Sequence, residues 1–169
     1  MLSIINENLV IINTVNKTKN DIIKDMVHLL HKEKRITDKT KFYNEILQRE
    51  KIQSTGIGEA IAIPHAKSNF VRLMSVVICI SKKGIHFKSL DDKPVKIIFL
   101  VAAPKEFTKS YLQIIAKIAR LLKNTKWRER FLNASEPEEM IELIREFDRV
   151  YPDRLKIDLI NGDKALLKS

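Results

Sequence analysis

Two apolar runs, Leu73–Ile80 and Val95–Ala102, limit most strongly what this chain can fold into. Both are rich in β-branched residues and neither alternates with polar ones, so each reads as a strand that needs cover on both of its faces. The cover is available in helical patterns on either side. Ile22, Ile23, Met26, Val27, Leu29 and Leu30 recur at helical spacing behind Thr18 and Asp21, which resemble a capping pair, and predict a helix to about His31. Thr37 and Asp38 cap a second helix with Phe42, Ile46 and Leu47 on one face, running into Arg49, Glu50 and Lys51. Downstream, Leu112, Ile115, Ala116, Ala119 and Leu122 mark a long helix, and Trp127 to Leu132 a shorter one. Ser135 as cap, Pro137 in the first turn and Glu138 in capping-box position begin the last helix. Leu9–Ile12 suits a first strand, Gly84–Phe87 a hairpin or edge piece, and Asp91–Pro94 a turn. Strand, two helices, several strands and then helices is the order of an α/β fold, a mixed sheet flanked by helices.

At 169 residues with 44% apolar content, the chain reads as one globular domain with a core of its own. Residues 150–169 mix charges with a few aliphatics and carry the turn signal Asn161-Gly162, so the division expected is a domain over 1–149 and an appended tail over 150–169. Cys79, the single cysteine, sits inside an apolar run and reads as a buried thiol in a reducing compartment. With no run of 18 apolar residues and no basic, long-apolar leader at the start, a cytoplasmic location without membrane insertion is the expectation. The net charge of +10 raises nucleic acid as a partner. However, the bases are spread among 21 acids, and the densest patch, Lys123–Arg130, reads as a solvated helix with Trp127 turned inward. No nucleic-acid binding motif accompanies it.

The chemistry concentrates in Arg49–Ser68. Gly56 and Gly58 allow a tight turn, Ser54 and Thr55 add hydroxyls, and such a turn can present N–H groups to an anion. The spacing is not that of a nucleotide-binding P-loop. Ile61–Ile63 reads as a short strand ended by Pro64, with His65 at the rim of the sheet and a polar loop beyond. A lone histidine is usually structural or merely exposed. One at a strand end beside hydroxyls, with Arg49 upstream, can instead be a nucleophile, since neutral imidazole predominates at pH 7. His28 and His31 share a helix edge without a third metal ligand, and His86 has no evident partner.

Arg49-Glu50-Lys51, Ser54 to Gly58 and Ala62-Ile63-Pro64-His65-Ala66 together resemble the signature of phosphotransferase-system EIIA domains of the fructose/mannitol type (type 2). The similarity continues through Gly84–Phe87, Leu90-Asp91, Pro94-Val95 and Phe99–Pro104, and covers roughly residues 3–147. The resemblance implies the phosphotransferase/anion-transport-like EIIA fold and a cytoplasmic phosphocarrier. It implies that His65 takes a phosphoryl group from HPr, as tele-phosphohistidine, and passes it to a cysteine of EIIB for sugar uptake through the membrane component EIIC. It makes Arg49 a candidate for stabilising phosphate and Ser54, Thr55, Gly56 and Gly58 its neighbouring donors, with no metal, nucleotide or other cofactor. A nitrogen-type regulatory EIIA, binding target proteins according to phosphorylation state, shares the same pieces. One position departs from the pattern. The family commonly has a second histidine where Tyr111 stands in Lys109-Ser110-Tyr111-Leu112. A phenol can donate to a phosphoryl oxygen, yet it does not become a cation near neutral pH.

Overall fold

The computed structural model describes residues 1–15 and 17–152. The expected tail beyond residue 152, including Asn161-Gly162, lies outside the described residues. A mixed six-stranded sheet forms the centre, in the order β1 (Val10–Ile11), β5 (Ser75–Ile85), β6 (Val95–Pro104), β3 (Ile61–Ala62) and β2 (Gly56–Gly58). β4 (His65–Ser68) also pairs with β6, parallel to it. The two apolar runs become the central antiparallel pair β5 and β6, and every residue of β6 but Lys96 is buried.

Helices cover both runs, as their composition requires. α1 (Lys19–Lys32) packs on β5 and α2 (Lys39–Ile52) on β4, while α3 (Thr108–Lys123) and α4 (Thr125–Asn133) lie on β6. α5 (Pro137–Val150) packs on α4 and β1. The Phe99 and Phe131 rings meet edge to face across the β6–α4 contact, and Trp127 meets Phe147 in the same way. Thr18 and Asp21 form a full capping box, and Asp38 accepts from the Lys41 N–H at the start of α2. Both starts are where the sequence puts them. At α5 the box is displaced by one residue: Glu139, not Glu138, reaches back to the Ser135 N–H, and Glu136 is the capping position. Pro137 still occupies the first turn, where its missing N–H costs nothing.

Four local expectations are corrected. Pro64 interrupts its strand rather than ending it, because β4 begins at His65 where a polar loop was expected. Proline removes a donor only, and its carbonyl still accepts from the Val101 N–H at 2.9 Å, so edge pairing resumes at once. Gly56–Gly58 is a short strand antiparallel to β3, and the turn falls instead on Glu59-Ala60. Both of those residues hold positive φ (54° and 64°), stabilised by the Asp91 carboxylate accepting from Glu59 N–H and by Ala60 carbonyl accepting from Lys96 and Ile97. Gly84 and Ile85 extend β5 beyond an irregularity after Ile80, and Phe87 is buried beyond them. The first strand is also shorter than expected, with Leu9 in a 3-10 turn ahead of Val10.

Candidate functional site

α2 ends, β2 turns back, and β3 runs into the proline break, so that His65 opens β4 at the sheet edge. Strand alternation then divides β4. Ala66 and Ser68 are buried, while His65 and Lys67 are half-buried on the other side. The imidazole folds back on its own strand, with Nδ1 2.6 Å from the Ile63 carbonyl oxygen. A carbonyl can only accept, so Nδ1 carries the proton, and in the neutral ring Nε2 keeps its lone pair. Burial lowers the proton affinity of His65 below the ordinary value, and the Arg49 charge adds to this; the Ile63 bond and Glu50 oppose it. The net result is a neutral imidazole at pH 7 with a free, nucleophilic Nε2.

Tyr111, in the first turn of α3, brings its ring to 5.8 Å from the imidazole centroid in an edge-on arrangement. Tyr111 is 8% exposed, and burial pushes its phenol up to about 12, so it stays protonated and uncharged. The Arg49 guanidinium donates to the Gln53 carbonyl at 3.0 Å, and its charge reaches both His65 and Tyr111. Tyr111 thus stands against His65, and the Arg49 charge acts on both.

Ser54, Thr55, Gly56 and Gly58 stand in a different relation to the site. Ser54 Oγ donates to the Phe87 carbonyl at 2.9 Å and accepts from the Gly56 N–H. The Thr55 hydroxyl makes a short bond to the Glu50 carboxylate, which also accepts from Thr55 N–H at 3.1 Å. Both hydroxyl protons are committed within the protein. Gly56 lets this segment lie against Ser89, where a β-carbon would come within 2.8 Å of the Ser89 Cα. Gly58 has φ of 88° and faces the Asp91 carboxylate.

Glu50 is a residue whose part was not read from sequence. It is 7% exposed and paired with Lys19 Nζ at 2.6 Å, and that ammonium also donates to the Phe87 carbonyl and lies over the Phe87 ring. The signal was present, since Phe42, Ile46 and Glu50 recur every four residues along one helix face. A carboxylate continuing an apolar stripe demands a buried partner. Lys67 was missed as well, although its two-residue spacing from His65 on a strand puts both on one side.

Elsewhere, Trp127 is buried, as expected, under the Arg130 guanidinium, which pairs with Glu146. Arg128 pairs with Glu59 at 2.9 Å. The aromatic and these cations of the Lys123–Arg130 patch are therefore engaged within the fold. His28 and His31 are exposed, and among the described residues no three His, Cys, Asp or Glu side chains group to hold a metal ion. Burial pushes the Cys79 thiol up to about 12, so the thiol stays protonated. No helix among the described residues is long and apolar enough to cross a membrane.

The family model described as "Phosphoenolpyruvate-dependent sugar phosphotransferase system, EIIA 2" matches residues 3–147. The chain belongs to that family. It is 33% identical over 138 residues to the "PTS system fructose-specific EIIABC component" of Bacillus subtilis (strain 168), covering 82% of this chain but only 22% of that protein. It is 32% identical over 129 residues to the "PTS system fructose-specific EIIA component" of Haloferax volcanii, covering 76% of this chain and 84% of the relative. The fold matches the crystal structure of the nitrogen regulatory protein IIA-Ntr from Neisseria meningitidis with a TM-score of 0.79 at 24% identity, over 84% of this chain and 97% of that one.

Proposed function

We propose that this chain is a phosphocarrier whose His65 Nε2 accepts a phosphoryl group from phospho-HPr and delivers it to a cysteine of EIIB, for fructose- or mannitol-type uptake through EIIC. The observation that carries the reading is the 2.6 Å bond from Nδ1 to the Ile63 carbonyl, which places the proton on Nδ1 and leaves the Nε2 lone pair unprotonated. In the transfer, the Nε2 lone pair forms an N–P bond as the donor histidine's N–P bond breaks, and that electron pair returns to the donor ring. No proton need move at His65, because Nδ1–H already holds its acceptor. Transfer through a loose transition state depends on positioning and on charge placed near the phosphoryl oxygens. Arg49 supplies charge and Tyr111 an uncharged donor. Ser54, Thr55, Gly56 and Gly58 serve as the frame that holds the β2–β3 hairpin and, through it, the His65 strand. The B. subtilis relative, named for A, B and C components, supports EIIB and EIIC as partners.

Phosphoenolpyruvate, enzyme I and HPr test this directly. Acid-labile phosphate is expected on the wild-type chain and none on His65→Ala; labelling that survives the substitution refutes the assignment. The regulatory alternative shares this phosphorylation step and takes its support from the nitrogen-regulatory fold neighbour. Failure of the phosphorylated chain to transfer to any EIIB cysteine would favour it.

A further inference from the structure

The same side of β4 that carries His65 carries Lys67. Its ammonium donates to Thr108 Oγ1 at 2.6 Å and sits 5.9 Å from the centroid of the Tyr111 ring. That ring is also the edge-on neighbour of the imidazole. Tyr111 therefore has a nucleophile and a cation as neighbours, and both come from one short strand. Thr108 begins α3, a sixteen-residue helix whose start has no side-chain cap, so the positive helix end adds to the ammonium nearby.

A phosphoryl group on Nε2 brings nearly two negative charges into a half-buried setting. Tyr111 offers a dipole but no charge. Arg49 has one guanidinium nitrogen already turned to the Gln53 carbonyl. Lys67 has three N–H donors, of which Thr108 takes one.

We propose that Lys67 is a second cation of the phosphoryl site beside Arg49, hydrogen-bonding a phosphoryl oxygen on His65 and supplying the charge that Tyr111 lacks. Thr108 and the Tyr111 ring hold the ammonium in place before the phosphoryl group arrives. The inference rests on His65 being the phosphoryl acceptor. While the N–P bond forms at Nε2 and the donor's N–P bond breaks, charge stays on the three non-bridging oxygens. An ammonium beside them stabilises both the loose transition state and the phosphorylated product.

The test uses the full chain as wild type, Lys67→Met, Lys67→Arg and His65→Ala, with two donors. One is phospho-HPr, maintained by phosphoenolpyruvate and enzyme I. The other is phosphoramidate, a small donor without a docking surface. Single-turnover rates are followed across HPr concentrations. Lys67→Met is expected to lower the plateau rate roughly tenfold, the effect of losing a charge-assisted hydrogen bond, with the half-saturating HPr concentration unchanged. Lys67→Arg should recover most of the rate, and phosphoramidate should rank the variants in the same order. Thermal melts of the half-buried position should coincide, which separates the effect from misfolding.

An unchanged plateau overturns the inference, as does a loss confined to the half-saturating concentration, which would make Lys67 a docking contact. Equal phosphoramidate rates, or an arginine that restores nothing, contradict it too. If the wild type takes no phosphate from either donor, or His65→Ala is labelled like wild type, the phosphocarrier reading itself fails and this inference falls with it.

Discussion

Arg49 and Glu50 are neighbours in the last turn of α2 and belong to opposite kinds of polar cluster. Glu50 turns inward to a cluster that is closed. Its carboxylate takes the Thr55 N–H, the Thr55 hydroxyl and the Lys19 ammonium, and Lys19 continues to the Phe87 carbonyl. The Arg49 charge acts on a cluster that is open: a neutral imidazole with a free Nε2, a protonated phenol at its edge, and an ammonium with donors remaining. Polar groups that satisfy one another at low exposure rigidify a scaffold. Groups left with a lone pair and a cation in reach of solvent can do chemistry. On the proposed reading the Ser-Thr-Gly-Ile-Gly segment belongs to the scaffold, while β4 and the start of α3 form the working face.

The contrast can be broken most decisively at His65. His65→Ala should remove acid-labile phosphate from the chain altogether while the thermal midpoint stays near wild type; residual labelling elsewhere would move the open cluster to another residue. Glu50→Ala should do the opposite. It leaves the Lys19 ammonium without its carboxylate and the Thr55 N–H unpaired, and should cost about 3 kcal/mol in urea denaturation, since removing one partner of a buried pair is strongly destabilising. A loss of less than ~1 kcal/mol would mean the closed cluster is not structural. Gly56→Ala presses a methyl group to 2.8 Å from Ser89 and should destabilise by roughly 1–3 kcal/mol on the same measurement, as over-packing does. A neutral result would place slack where the structure has contact.

Smaller effects sharpen the open side. Tyr111→Phe keeps the ring against His65 and removes only the hydroxyl, so transfer should slow by roughly three- to tenfold, the net effect of one hydrogen bond, without loss of stability. An unchanged rate would reduce Tyr111 to a packing wall. The smallest effect is the pH dependence carried by His65. Burial holds its folded-state pKa below the ordinary value near 6.5 that an unfolded chain retains. Between those two values the unfolded chain binds a proton that the folded one does not. Stability therefore rises with pH through that window and falls as the medium is acidified below about 6.5. His65→Gln should flatten this slope in denaturation midpoints; a slope unchanged by the substitution would place its origin elsewhere.

Much of this was legible in the sequence because it depends on local pattern. The β5–β6 runs, the Thr18 and Asp38 caps and the edge position of His65 follow from residue type and spacing. Other features were hidden because they depend on long-range pairing. Pro64 reads as a stop until Val101 supplies a donor to its carbonyl. Glu59 and Ala60 have no reason to adopt positive φ until Asp91 and β6 hold them there. Glu50 reads as a solvated helix end until Lys19, from α1, arrives beside it. Ser54 and Thr55 look like donors awaiting an anion, yet their protons are taken by Phe87 and Glu50. The family resemblance located Tyr111, and the structure adds what stands next to it.

On the proposed reading the backbone, through Ile63, selects which nitrogen of His65 reacts. Long-range proton–nitrogen correlation on the 15N-labelled, phosphorylated chain identifies the ring nitrogen bonded to phosphorus. The phosphoryl group is expected on Nε2, with Nδ1 still protonated against the Ile63 carbonyl. Phosphorus on Nδ1, or on no nitrogen of His65, would contradict the account.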